Sequence, residues 1–131
     1  MIYKVVRETQ QNGIYHSAVM NPQEDGEWCL EYKIGEVTNP IRGSYIYAFK
    51  QLERAEYFIS HNHGDPVSDP PLVIFECEAE VTEDALPLLA YSFSPVSYER
   101  FWKREGTDGA YAPLGSVWCK WVKLVKPVED Q

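Results

Sequence analysis

The chain has 131 residues, 44% of them hydrophobic and 24% charged. That size and balance suit a single globular domain with its own core rather than a disordered segment. The formal net charge is -8 and the pI is near 4.8. This argues against a whole-surface interaction with nucleic acid or with anionic membrane. No apolar run is long enough to span a bilayer.

Three cysteines, Cys29, Cys77 and Cys119, are far apart and odd in number, and no C-x-x-C pair exists. Cys77 and Cys119 lie inside apolar strand patterns, so all three read as reduced thiols of a cytoplasmic protein. Met1 to Arg7 lacks a basic stretch and a long apolar stretch, so it does not read as a signal peptide.

In chain order, Ile2 to Glu8 and Ile14 to Met20 read as strands joined by a polar turn, a hairpin in outline. Asn21 to Glu27 is loop. Trp28 to Lys33 alternates, with Trp28, Leu30 and Tyr32 on one face. Gly35 to Gly43 reads as irregular, and Ser44 to Phe49 as a short aromatic strand. From Gln51 the period changes: Leu52, Ala55, Phe58 and Ile59 share one face of a helix. His61 to Pro71 breaks it with Gly, Asp and Pro.

Val73 to Val81 reads V-I-F-E-C-E-A-E-V. Alternation places Val73, Phe75, Cys77, Ala79 and Val81 on a buried face, with Ile74, Glu76, Glu78 and Glu80 opposite. Thr82-Glu83-Asp84 and Ser94-Pro95 look like helix starts. Tyr98 to Arg104 suits a short helix carrying Phe101 and Trp102. Gly106 to Gly115 is loop, and Val117 to Val125 is a last strand with a comb of lysines, Lys120, Lys123 and Lys126. The expected fold class is therefore α+β: a mixed, largely antiparallel sheet of five to six strands with two to three short helices, in one domain over residues 1–131.

Several groups of residues have chemical potential. His61-Asn62-His63-Gly64-Asp65 has the spacing of a metal-binding loop. It is similar to the opening of the metallo-β-lactamase motif, but Pro66 stands where that motif needs another histidine, so no metal is expected. Glu76 and Glu78 on one strand face are roughly 6.5–7 Å apart. They read either as a solvated stripe or as a carboxylate pair able to hold a ribose hydroxyl or a cation. Tyr45, Tyr47 and Phe49 alternate along one strand, and Trp118 and Trp121 frame Lys120 and Lys123 on another. Tyr47, Trp118, Lys120 and Trp121 thus form a candidate ligand-binding set, or a strand edge protected by lysines. No dinucleotide, P-loop or nucleophile-elbow motif is present, and the sequence leaves the cofactor open.

The Y-K-V-V start at Tyr3 to Val6, the block G-S-Y-I-Y-A-F-K-Q-L-E-R-A-E-Y-F from Gly43 to Phe58, and the Val73 to Val81 strand together resemble small uncharacterised phage and bacterial proteins. They are also distantly similar to the ADP-ribosyltransferase fold, over about residues 1–81. That similarity implies an NAD cleft lined by Arg7, by Tyr45 or Tyr47, and by Glu76 or Glu78. The Ser-Thr-Ser element of the arginine-specific class is absent. The leading functional expectation is a cytoplasmic binding module for a protein partner or a nucleotide-like ligand. The alternative is an ADP-ribosyltransferase-like enzyme, or a degenerate relative, acting on NAD through Arg7, Tyr45, Glu76 and Glu78.

Overall fold

The computed structural model describes residues 1–8, 13–18, 26–41, 43–62, 71–82, 88–89, 99, 101–102, 110–111 and 115–128. Among them the chain forms nine strands and one continuous α-helix. The strands are β1 (Ile2–Arg7), β2 (Ile14–Ser17), β3 (Glu31–Lys33), β4 (Val37–Thr38) and β5 (Ile46–Phe49), followed after the helix α1 (Leu52–Asn62) by β6 (Leu72–Val81), β7 (Leu88–Leu89), β8 (Ala110–Tyr111) and β9 (Ser116–Pro127). Every strand pair is antiparallel.

Four strands close on themselves. β1 pairs with β5, β5 with β9, β9 with β6, and β6 with β1. Closure removes the free edges that an open sheet would leave. β6 and β9 are long enough to bind two neighbours each along most of their length. The edge of β1 away from β6 is shared: its ladder with β5 stands at Tyr3↔Phe49, and its ladder with β2 begins at Val6↔Ser17. β9 is shared in the same way, between β5 up to Cys119 and β4 from Val122. The ring therefore has a seam, with β5 on one side and the β2–β3–β4 flap on the other.

Alternation sorts the side chains into two cores. Val6, Ile46, Ala48, Phe75, Cys77, Cys119, Val122 and Leu124 fill the inside with Tyr32 from the flap. Outside the ring, Val5, Phe49 and Ile74 meet Ala55 of α1, with Leu52, Phe58 and Ile59 beside it. The helical period seen in the sequence is thus the face that packs. α1 also lies close to the start of β9: a Cβ at Gly115, whose φ is +84°, would stand 2.6 Å from Arg54 Cγ.

The α+β expectation is corrected. Among the described residues the protein is mostly β, with one continuous helix rather than two or three and with a closed four-strand barrel plus three further strands in its main sheet. Two physical reasons account for the miss. β4, β7 and β8 are two residues long, too short for alternation to show, and β4 and β8 sit inside stretches read as loop. Trp28 belongs to a 3₁₀ turn over Gly26–Trp28, so the alternation from Trp28 onward becomes a strand only at Glu31. The helix start at Glu83-Asp84 and the one at Ser94-Pro95 lie outside the described residues. Glu99, Phe101 and Trp102 have helical backbone. No helix among the described residues is long and apolar enough to cross a membrane.

Candidate functional site

Three groups of side chains stand out, and each follows from how β9 meets its neighbours. The first is a ladder of charge. Glutamates at every second residue of β6 face lysines at every third residue of β9. In a regular pair, lysines three apart would fall on alternating faces. Two register shifts resolve this: opposite Glu76 and Cys77 stand Lys126 and Leu124, and opposite Glu80 and Val81 stand Trp121 and Cys119. β9 thus carries Val125 and Lys120 as extra residues, and each such bulge moves the next side chain onto the same face. The result is three ion pairs, Lys126–Glu76 at 3.4 Å, Lys123–Glu78 at 3.7 Å and Lys120–Glu80 at 3.2 Å. Glu80 also accepts a hydrogen bond from Trp121 Nε1 at 3.2 Å. Hydrogen bonding from Lys120 and Trp121, with the lysine charge, holds the Glu80 carboxyl below its usual range.

The second group is aromatic. Tyr47 is directly opposite Trp118 on the outer face of the ring, and Tyr45 stacks on Trp118 with centroids 5.3 Å apart. Trp102 lies across them, 5.9 Å from Tyr45, 6.1 Å from Tyr47 and 5.3 Å from Trp118, with Phe101 against it. Trp118 is buried, whereas Tyr45, Tyr47, Phe101 and Trp102 are half-buried. β9 leads straight from this cluster into Lys120 and Trp121 of the ladder.

The third group is inside. Lys4 shares the inward face of β1 with Ile2 and Val6 and is only 8% exposed. Its ammonium donates to the Tyr47 carbonyl at 2.7 Å and lies 5.5 Å from the centre of the Tyr32 ring. An antiparallel ladder continuing past Tyr3↔Phe49 would use that carbonyl next. β1 has turned to β2 instead, and the lysine takes the vacant position. Burial pulls Lys4 down from 10.5 to about 8, against a smaller opposing effect of Cys119 and Cys77. Burial likewise pushes the Cys77 thiol up to about 12 and Cys119 to about 11, and it raises the Tyr32 phenol strongly. Both thiols are therefore held in the inert form, and all three cysteines are buried and outside any disulfide.

The residues expected from the sequence fall out as follows. Tyr45, Tyr47 and Trp118 come together, with Lys120 and Trp121 adjoining. Arg7 does not join Glu76 and Glu78. It lies beside Leu72 in the register while Glu76 lies beside Tyr3, a separation of about 13 Å along the strands. Arg7 Nε donates to the Ala18 carbonyl at 2.6 Å. β5 and β6 occupy opposite sides of the ring, so the outward Tyr45 and Tyr47 diverge from the outward glutamates. His61 lies in the last turn of α1, stacked on Tyr57 at 4.0 Å with Nδ1 2.9 Å from Ser60 Oγ, and His63 and Asp65 lie outside the described residues. Lys4 was missed by the sequence reading, although a lysine between Ile2 and Val6 at i±2 is itself a signal of burial. His16, buried and 3.7 Å from Glu31, was missed as well.

Comparison with protein-family models, curated proteins and solved structures finds no match for this chain.

Proposed function

We propose that this chain is a cytoplasmic binding module that recognises a protein partner through the outer face of β5 and β9. The observation that carries this reading is the cluster of half-buried rings at Tyr45, Tyr47 and Trp102 around a buried Trp118, bordered by charged pairs. Aromatic anchors with a polar rim are what protein interfaces use for most of their binding energy. A nucleotide-like ligand is less well supported. Its phosphates need free cations, and Lys120, Lys123 and Lys126 each face a glutamate. The transferase alternative needs a carboxylate free to stabilise charge developing on a ribose. Glu76 and Glu78 are already paired with lysines, and Arg7 stands about 13 Å along the strands from the nearer of them. The partner's rim is expected to be cationic, because this chain carries a formal net charge of -8. The buried reduced thiols support the cytoplasmic assignment.

The test is site-specific photo-crosslinking in extract of the source cell, with the crosslinker at position 45 or, as a control, at the exposed position 57 on α1. A discrete protein adduct is expected from position 45 only. Unlabelled wild type should compete it away, and a Tyr47→Ala/Trp102→Ala double variant should not. Absence of any adduct, together with a rise in Tm on adding NAD and release of nicotinamide, would replace this reading with the enzymatic one.

A further inference from the structure

We propose that Lys4 is the positioning residue of the β5–β9 aromatic face, holding the strand that presents Tyr45 and Tyr47 at the place where β1 has left it. The inference rests on the partner-binding reading of that face and names the interior group on which its shape depends. Two observations carry it. Tyr47 and Trp118 stand directly opposite each other on β5 and β9, and their carbonyls turn in opposite directions. The Trp118 carbonyl accepts from the Thr82 backbone N–H at 2.8 Å, just past β6, and the Tyr47 carbonyl accepts from Lys4 Nζ at 2.7 Å, on the β1 side. The two residues are thus the kind of antiparallel pair that exchanges no backbone hydrogen bonds and brings its side chains closest. Their ring contact, 6.3 Å between centroids, is set by what each backbone meets on its far side.

The second observation is the seam. β1 gives β5 a ladder at Tyr3↔Phe49 and has turned to β2 by Val6↔Ser17. Lys4 follows Tyr3 and crosses the widening gap with its side chain. Its charge makes the bond to the Tyr47 carbonyl roughly twice as strong as a neutral one. An apolar side chain at position 4 would fill the same interior, beside Tyr32, Cys77 and Cys119, without the cost of a buried charge. It could not hold the carbonyl. Burial of the lysine is thereby tied to the rings outside: Tyr45 stacks on Trp118, and Trp102 lies 5.9 Å from Tyr45 and 6.1 Å from Tyr47. Rings fixed before contact lose less freedom on binding. A partner fitted to this arrangement therefore binds wild type more tightly than a chain whose β5 is loose at Tyr47.

The experiment is NMR of wild type and Lys4→Met carrying ¹³C-labelled tyrosine, followed by the position-45 crosslinking assay. Lys4→Met removes the donor and the buried charge together, so the fold is not expected to suffer at pH 7. In wild type the Tyr47 carbonyl-carbon signal and the Tyr45 and Tyr47 ring signals are expected to move together with pH, with a midpoint at about 8, as Lys4 loses its charge. Among the described residues the other titratable groups facing Lys4 are Tyr32 on β3, Cys77 on β6 and Cys119 on β9. Cys77 at about 12 and Cys119 at about 11 keep their protons through that range, and burial raises Tyr32 strongly as well. In Lys4→Met the same signals should be flat with pH, and adduct yield from position 45 should fall at least about fivefold, although the protein is no less stable. Tyrosine signals that do not respond near pH 8 in wild type, or an adduct yield unchanged in Lys4→Met, would overturn the proposal. No adduct from wild type would instead overturn the partner-binding reading, because the NMR response is read with no partner present.

Discussion

Lys4 and the lysines of β9 are opposite cases of one residue type. The side chains of Lys120, Lys123 and Lys126 are 55%, 37% and 70% exposed, and each has a glutamate partner. Lys4 is 8% exposed and has a backbone carbonyl and an aromatic ring instead. Exposed pairs sit in high dielectric, where attraction is weak and water is a ready substitute. Inside the ring nothing replaces water, so the charge itself carries the cost. The difference teaches that the three visible ion pairs contribute less to this molecule than one buried lysine without a carboxylate partner among the described residues. Their role is to fix the register of two strands whose spacings do not match.

The interior should be the sensitive region. Phe75 is fully buried and meets the Tyr15 ring edge-on at 4.9 Å. Phe75→Ala is expected to cost about 3–5 kcal/mol by chemical denaturation. A loss under about 1 kcal/mol would show that the ring is loosely packed and that the contrast with the surface is false.

Lys4→Met sharpens the comparison through its sign. Lys4 titrates at about 8 in the folded chain and at 10.5 when solvated. Below about 8 both states hold the proton and the full penalty is present. Between the two values the unfolded chain binds more protons, so wild-type stability rises with pH. Lys4→Met is therefore expected to be more stable than wild type at pH 7, by about 1–2 kcal/mol once loss of the bond to the Tyr47 carbonyl is deducted. Above 10.5 the penalty is gone and the variant should be the weaker protein. Paired urea titrations at both pH values check this, and a variant weaker at pH 7 would refute it.

The smallest effect belongs to the ladder. Glu78→Gln is expected to change stability by less than about 1 kcal/mol, and less still in high salt. A larger loss that salt does not diminish would mean that the ladder is structural in a way exposed pairs are not. Thermal denaturation at low and high ionic strength distinguishes the two.

Local periodicity was legible wherever an element was long enough to express it. The alternation of Val73 to Val81 put Phe75 and Cys77 inside and left Glu78 and Glu80 in water. The spacing of Leu52, Ala55, Phe58 and Ile59 marked the packed face of α1. Ile74 was placed on the correct face, but only the helix laid across it made that face buried. Of the binding set, Tyr47, Trp118, Lys120 and Trp121 were visible as residues, while Tyr45, read for the transferase alternative, and Trp102 joined them through ring contacts.

By itself, then, the sequence determined which side of each long strand and helix is apolar, because side-chain direction repeats along a chain with a fixed period. Tertiary structure decided that the sheet closes and that two bulges bring lysines spaced by three opposite glutamates spaced by two. It also decided that Lys4 is buried at a seam with no carboxylate partner among the described residues. Those outcomes depend on which strand lies beside which, and ring closure and register are properties of pairs of segments far apart in the chain, which no local pattern encodes.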